Sequence, residues 1–261
     1  MKELWQEIYA SVFSLTFEND GKRICSGSGF KIGKYLITNN HVIQVPNYTQ
    51  VVIRSVEADG YSTSIQIPIE AYEFRNMLID GDPEASWDYA IIELNIPEFL
   101  NAPSLSIEQS DEIEIGSEIA FLGYQFDQPN LSIHIGHIAS QFIRAGVNYL
   151  QLDASVNQGN SGGPLIDVNT GNVIGIITRK ATGLTNQFEA LLTSFTQSIN
   201  NLQNSQASNV RVSFTGIDVR QAFLTTQHQM QQVAREIGRS ANVGIGYAYK
   251  IYRIRSSIES R

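Results

Sequence analysis

Residues Gln158 to Leu165 read QGNSGGPL: one serine, Ser161, set among glycines and followed by a proline and apolar residues. Two readings compete. A tight glycine turn between strands needs no partners elsewhere in the chain. A nucleophilic serine needs a base, a group that orients the base, and donors for a developing oxyanion. Working outward from Ser161 means searching the other segments for those partners.

The bulk properties narrow the search. The 261 residues suffice for one large domain or two small barrels, and 42% hydrophobic with 17% charged residues is the balance of a packed globular chain. A net charge of -8 argues against nucleic acid or an anionic membrane surface as a general partner. The late basic run Lys250, Arg253, Arg255 and Arg261 is expected to be a solvated strand face. The single cysteine, Cys25, cannot form an internal disulfide, so nothing requires an oxidising compartment. The opening MKELWQEIYASVF carries Glu3 and Glu7 and lacks the basic start and apolar core of a signal peptide. No apolar run approaches the ~20 residues of a membrane span. A cytoplasmic protein without membrane or nucleic-acid partners is the expectation. No ligand cluster suggests a metal or another cofactor.

Short β-like segments recur between about residues 8 and 180, among them YASVFSLTF, QVVIRSV, TSIQIPI, EIAFLGY and VIGIITR. Turn residues separate them: Asn19-Asp20-Gly21, Asp59-Gly60, Gly81-Asp82-Pro83 and Asn169-Thr170-Gly171. This is the pattern of a barrel or sandwich. The stretch from about 95 to 112 reads as the link between two β halves. After Gly183, Phe188, Leu191, Leu192, Phe195, Ile199 and Leu202 recur at helical spacing, as do Val219, Phe223, Met230, Val233 and Ile237. NVGIGYAYKIYRI then returns to a strand pattern, so the two helices are an insertion.

Four histidines are available as the base. His134 and His137 lie on one strand in LSIHIGHI, on opposite faces, and read as half-buried strand residues. His228, in TTQHQMQQ, reads as the exposed side of a helix. His41 follows YLITNN, where an apolar strand ends and can present a side chain at a cleft. Asp88, in EASWDYAIIEL, opens directly into an apolar strand; an aspartate there is costly unless something binds its charge. A histidine Nδ1–H would do so, and a plain strand-end cap is the other reading. The order His41, Asp88, Ser161 is one of three known orders of a serine-hydrolase triad.

SGSGF, LITNNHV, DYAIIEL, GNSGGPLID and GIITR together resemble the trypsin-like serine peptidases, with the nearest likeness to the HtrA/Deg branch. The resemblance covers about residues 8 to 183 and 242 to 255. It implies a mostly β chymotrypsin-like fold: two six-stranded antiparallel β-barrels with an α-helical hairpin inserted in the second. Residues 1–105 would form the first barrel, carrying His41 and Asp88, and 106–261 the second, carrying Ser161, with the insertion at about 184–241. The competing G-x-S-x-G elbow of α/β-hydrolases must enter a helix, whereas Pro164 and a strand pattern follow Ser161 here. Cys25 lies upstream of His41 in a strand and reads as core.

The resemblance further implies a serine endopeptidase acting on protein or peptide substrates. Ser161 would attack the acyl carbonyl, His41 would carry the proton and Asp88 would orient His41. The N–H groups of Gly159 and Ser161 would form the oxyanion hole. Thr178 matches the position whose hydroxyl supports the aspartate, or is an ordinary β-branched strand residue. Ser155 matches the pocket base, where no aspartate favours a basic side chain; Val156 and Ile245 would narrow the pocket toward small or medium apolar residues. Arg179 and Lys180 either border the cleft or end a solvated strand. Asn160 stands where secreted relatives carry the aspartate that pairs with a new N-terminus, so the zymogen switch is absent. With Met1 at its start and Arg261 at its end, the chain is expected to lack a pro-segment and a PDZ module. The insertion at 184–241 is either a lid or a docking element for a regulatory partner or for self-association. The alternative outside enzymes is a latent or inactive scaffold serving as a protein-binding module in a bacterial stress or defence complex.

Overall fold

The computed structural model describes the chain apart from residues 181–185, 205–212, 215–216 and 241–243. The first half contains α1 (Lys2–Ile8), β1 (Val12–Asn19), β2 (Lys22–Ile32), β3 (Tyr35–Thr38), α2 (Asn40–Ile43), β4 (Gln50–Val56), β5 (Thr63–Glu70), α3 (Ala71–Asn76), β6 (Leu78–Asp82), β7 (Tyr89–Glu93) and α4 (Pro97–Leu100). The second contains β8 (Glu118–Gly123), β9 (Ser132–Arg144), β10 (Val147–Leu152), β11 (Pro164–Asp167), β12 (Val173–Lys180), α5 (Asn186–Asn204), β13 (Ser213–Phe214), β14 (Ile217–Asp218), α6 (Val219–Ser240), β15 (Gly246–Lys250) and α7 (Tyr252–Glu259).

The first sheet runs in the order β5-β4-β1-β2-β3-β7-β6. Asn19 pairs with Lys22 across Asp20 (φ 49°) and Gly21 (φ 74°), both left-handed as a type I′ hairpin turn requires. Alternation then sorts the faces. Phe13, Leu15 and Phe17 are buried with Val51, Ile53, Ile67 and Ile69, each contributing ~1.5–3 kcal/mol by leaving water. Seven strands stand where six were expected. The extra one is β6, because Gly81 and Asp82, read as turn residues, pair with Ala90 and Tyr89. The strands at the two ends, β5 and β6, are not paired with each other, so hydrogen bonds do not close this sheet.

The second sheet is a closed barrel in the order β10-β15-β12-β11-β8-β9, around Ile119, Phe121, Leu150, Leu152, Leu165, Ile177 and Ala248. A further apolar cluster joins sheet and barrel through Phe30, Ile37, Ile91, Leu122, Ile166, Ile176 and Tyr249. Ile251 and Ile254 are buried in that same cluster, with Ile258 packed on it, and this spacing is that of a helix. The expected strand over 251–255 is therefore corrected to α7. Its basic residues are not a solvated strand face: Arg255 donates to Glu108 O (2.7 Å) and Asp111 Oδ1 (2.8 Å), and Arg253 lies over Trp87.

The chain divides into two compact units, Met1–Ala181 with Gly244–Arg261, and Thr182–Val243. In the smaller unit Gln231 Nε2 donates to Thr196 Oγ1 (2.8 Å) between α6 and α5, and Ile199 and Ala234 are buried. Within the larger unit β12 pairs with β15, and the ladder ends at Lys180 and Gly246. The smaller unit thus occupies the place of a hairpin turn. The expected insertion bounds, 184 and 241, lie outside the described residues.

Candidate functional site

His41 is presented by α2, a single turn that starts two residues after β3 ends. Asn39 turns the chain there and its Nδ2 donates to Asp88 O (2.7 Å). Asp88, fully buried, sits at φ 45° just before β7, a left-handed conformation unusual for aspartate outside turns. Its carboxylate accepts three hydrogen bonds. Oδ1 takes the His41 backbone N–H (3.0 Å), and Oδ2 takes His41 Nδ1–H (2.7 Å) and the Thr178 hydroxyl (3.0 Å). Because a carboxylate only accepts, Nδ1 carries a proton, the tautomer that in a neutral imidazole leaves the lone pair on Nε2. The imidazole remains 30% exposed, enough for contact with a ligand.

Ser161 lies in the loop between β10 and β11. Its hydroxyl donates to Thr178 O (2.7 Å), and among the described residues it makes no hydrogen bond to His41. Thr178 therefore touches both halves of the site, Asp88 through its hydroxyl and Ser161 through its carbonyl. Asn160 N–H donates to Asn157 O (3.1 Å) and Gly162 N–H to Ile177 O (2.8 Å). The N–H groups of Gly159 and Ser161, in contrast, have no partner among the described residues. Gln158 O accepts from Phe126 N–H (2.7 Å) on the far side of the 158–159 peptide. A trans peptide points its N–H opposite its C=O, so the Gly159 N–H points away from Phe126. Gly159 (φ 95°) admits no side chain, since a Cβ would lie 2.1 Å from Tyr124 O.

The remaining expected residues divide. Asn160 is fully buried, and neither its Nδ2 nor its Oδ1 finds a partner among the described residues. Val156 is buried against the start of β15, where a Cβ on Gly246 would meet Val156 Cγ2 at 2.3 Å; Ile245 is half-buried beside it. Ser155 is exposed, as a residue facing an open cleft would be. Arg179 is placed by its pairing with Tyr247, while its side chain lies outside the described residues. His228 is exposed on α6. His134 stacks on Phe121 (4.7 Å), and burial holds its pKa below the ordinary value. His137 sits 3.4 Å from Asp153. The sequence reading did not single out Ser28, Asn39, Tyr124 or Phe126, although Ser28 lies inside the quoted SGSGF. Ser28 and Asn39 act through side-chain bonds to distant backbone groups, and Tyr124 and Phe126 through their own backbone, so local sequence leaves little trace of them.

Comparison with known proteins agrees with this geometry. A family model for the trypsin-like peptidase domain matches residues 25–176. The zebrafish (Danio rerio) serine protease HTRA1A is 31% identical over 170 residues, which are 61% of this chain and 31% of that protein. A DegP-like periplasmic serine endoprotease of Chlamydia pneumoniae is 27% identical over 187 residues, covering 68% of this chain and 34% of the relative. The chain thus matches about a third of the length of these relatives. Among solved structures, the HtrA-type protease AlgW with a tripeptide has a TM-score of 0.60 at 20% identity, covering 100% of this chain and 63% of that one. The active form of the Rv3671c protease from M. tuberculosis has a TM-score of 0.53 at 25% identity, covering 69% and 74%. With the family model matched over more than half of its length, the chain belongs to the trypsin-like peptidase family and has HtrA- and DegP-type relatives.

Proposed function

We infer that this chain is a serine endopeptidase that hydrolyses peptide bonds through His41, Asp88 and Ser161. One observation carries the reading: Thr178 ties a buried, triply hydrogen-bonded Asp88–His41 pair to a serine flanked by two unpartnered N–H groups. A fold alone would not require any of these groups to converge.

In this mechanism the Ser161 hydroxyl leaves Thr178 O and turns to His41 Nε2, which accepts its proton as Oγ attacks the carbonyl. Asp88 stabilises the imidazolium. The Gly159 and Ser161 N–H groups receive the oxyanion, and each such donor is worth ~3 kcal/mol in the transition state. His41 then protonates the leaving amine, and water resolves the acyl-enzyme by the same route. Val156 and Ile245, packed near the start of β15, favour a small or medium apolar side chain before the cleaved bond.

A second reading, a chain that is latent until substrate or a partner acts on it, is favoured by the same Ser161–Thr178 bond: the nucleophile rests on a carbonyl instead of on its base. The unit Thr182–Val243 is the element through which a regulatory partner, or self-association, would act. Residues 1–105 and 106–261 then serve as the two halves that carry the base and the nucleophile. The single Cys25 requires no oxidising compartment, which supports a cytoplasmic location, in contrast to the periplasmic DegP-like relative; cell fractionation decides that point.

Labelling with a fluorophosphonate probe tests the central reading. The intact chain is expected to be labelled, and Ser161→Ala and His41→Ala are expected to lose the label. An unlabelled intact chain, alone and in cell lysate, would leave only the inactive-scaffold reading.

A further inference from the structure

Ser28 lies on β2 and is fully buried. Its partner strand β3 pairs with β2 only from Phe30 to Ile32, so at Ser28 that edge of the strand is unpaired by β3. The nucleophile loop takes its place. Ser28 N–H donates to Ser161 O (2.9 Å), and Ser28 O accepts from the Thr38 hydroxyl (2.7 Å). The side chain completes the set: Ser28 Oγ donates to Gly159 O (2.7 Å) and accepts from Tyr124 N–H (2.9 Å). All three polar atoms of Ser28 are therefore committed, in four hydrogen bonds, two of which run to the peptide segment that carries the Gly159 and Ser161 N–H groups. The packing is close enough to dictate residue type: a Cβ on Gly162 (φ 85°) would lie 2.1 Å from Ser28 O.

We propose that Ser28 is a positioning residue for the oxyanion hole, a strut through which the first sheet sets the two donor N–H groups of the second. The chemistry follows from the connections. Gly159 O belongs to the 159–160 peptide, and Ser161 O to the 161–162 peptide. Holding both carbonyls from one side fixes the plane of the backbone between them, including the Ser161 N–H. The Phe126–Gln158 bond fixes the Gly159 N–H from the other end. Within Ser28 the hydroxyl is the group that a substitution can remove, because the residue's other two bonds run through its backbone N–H and C=O. Among the described residues Ser28 makes no hydrogen bond to His41 or to the Ser161 hydroxyl, so its link to the nucleophile loop runs through the carbonyls of Gly159 and Ser161. This inference rests on the endopeptidase reading above.

The test compares the intact chain with Ser28→Ala and Ser28→Cys, the latter filling the space with a weak donor. Three quantities are measured: kcat and KM on a peptide amide, and affinity for a peptide aldehyde, whose adduct places an oxyanion in the hole. Ser28→Ala is expected to lower kcat by about 10- to 100-fold, the scale of a small misplacement of a reacting group. KM should stay within about threefold, and aldehyde affinity should fall in proportion to kcat/KM. Ser28→Cys should lie between the two. A purely structural role would lower thermal stability and the active fraction without changing the ratio of aldehyde affinity to KM. An active intact chain whose Ser28→Ala variant keeps that ratio overturns the proposal for Ser28 alone. An intact chain that neither turns over nor labels, alone and in cell lysate, overturns the endopeptidase reading, and this inference with it.

Discussion

Replacing Thr178 by valine removes one donor from the Asp88 carboxylate while keeping the side chain's shape and the backbone carbonyl that holds Ser161. Asp88 is fully buried and Thr178 only 2% exposed, so water cannot take the lost place. A hydrogen bond to a charged group contributes ~1.5–3 kcal/mol, and leaving a buried acceptor one donor short costs about the same. With about 2 kcal/mol lost in a unit of this size, the melting temperature should fall by about 4–8 °C. The imidazolium of the transition state leans on the same carboxylate, so kcat should fall as well, by up to about tenfold for each 1.4 kcal/mol not recovered. Thermal unfolding followed by circular dichroism, with kcat on a peptide amide, reads both effects. The decisive control is the same substitution in an Asp88→Asn background. There the bond is between neutral groups and its loss should cost about 1 kcal/mol or less. An unchanged melting temperature, or an equal loss in both backgrounds, would refute the reasoning that a buried charge depends on Thr178.

Gly159→Ala should reduce kcat by about 10²–10³-fold, the effect of losing an oxyanion donor, because its Cβ would lie 2.1 Å from Tyr124 O and φ 95° is a glycine conformation; steady-state kinetics with a melting curve separates this from unfolding. Asp80 links β6 to α7. Burial pushes its pKa up, but the Ser257 hydroxyl, the Gly81 N–H, the Tyr89 hydroxyl and Arg261 outweigh that and hold it below the ordinary carboxylate value. A carboxylate with a depressed folded pKa contributes stability above its unfolded pKa of ~3.9 and loses it as pH falls through the folded value. Melting temperature against pH should therefore drop more steeply below about pH 4 for the native chain than for Asp80→Asn. Finally, the three apolar clusters of the larger unit contain no residue of Thr182–Val243 among the described residues. Since Lys180 already pairs with Gly246, replacing 182–243 by a short glycine-containing turn should leave a cooperatively folding core. If the insertion is regulatory, activity in that variant should no longer respond to a partner; an unaltered response would remove the insertion from the mechanism.

Much of the architecture is legible from residue type because it follows from period and turn chemistry. Alternation marked β1, β4, β5 and β12, Asp20-Gly21 marked a hairpin, and helical spacing marked α5 and α6. The chemistry-bearing side chains were legible for a related reason: a polar residue at the mouth of a buried strand is expensive, so His41 and Asp88 stand out against their apolar neighbours. Where local signals were weak the reading failed. Ala145 adopts a left-handed φ of 51° with no residue-type signature, and β6 hides in a Gly-Asp-Pro turn pattern. The stretch after Ile251 reads as a strand until its isoleucines are seen to share one buried helical stripe.

What the sequence by itself determined is the inventory: which side chains can act, on which kind of element, and that an insertion separates β12 from β15. What only the tertiary structure decided is how they meet. The Ser161 hydroxyl rests on Thr178 O, and Ser28 on a strand 131 residues away donates to Gly159 O. The reason is physical. Such contacts are made largely by backbone N–H and C=O groups, which every residue carries alike, so which of them pair is settled by the packing of sheet against barrel and not by the identity of the residues.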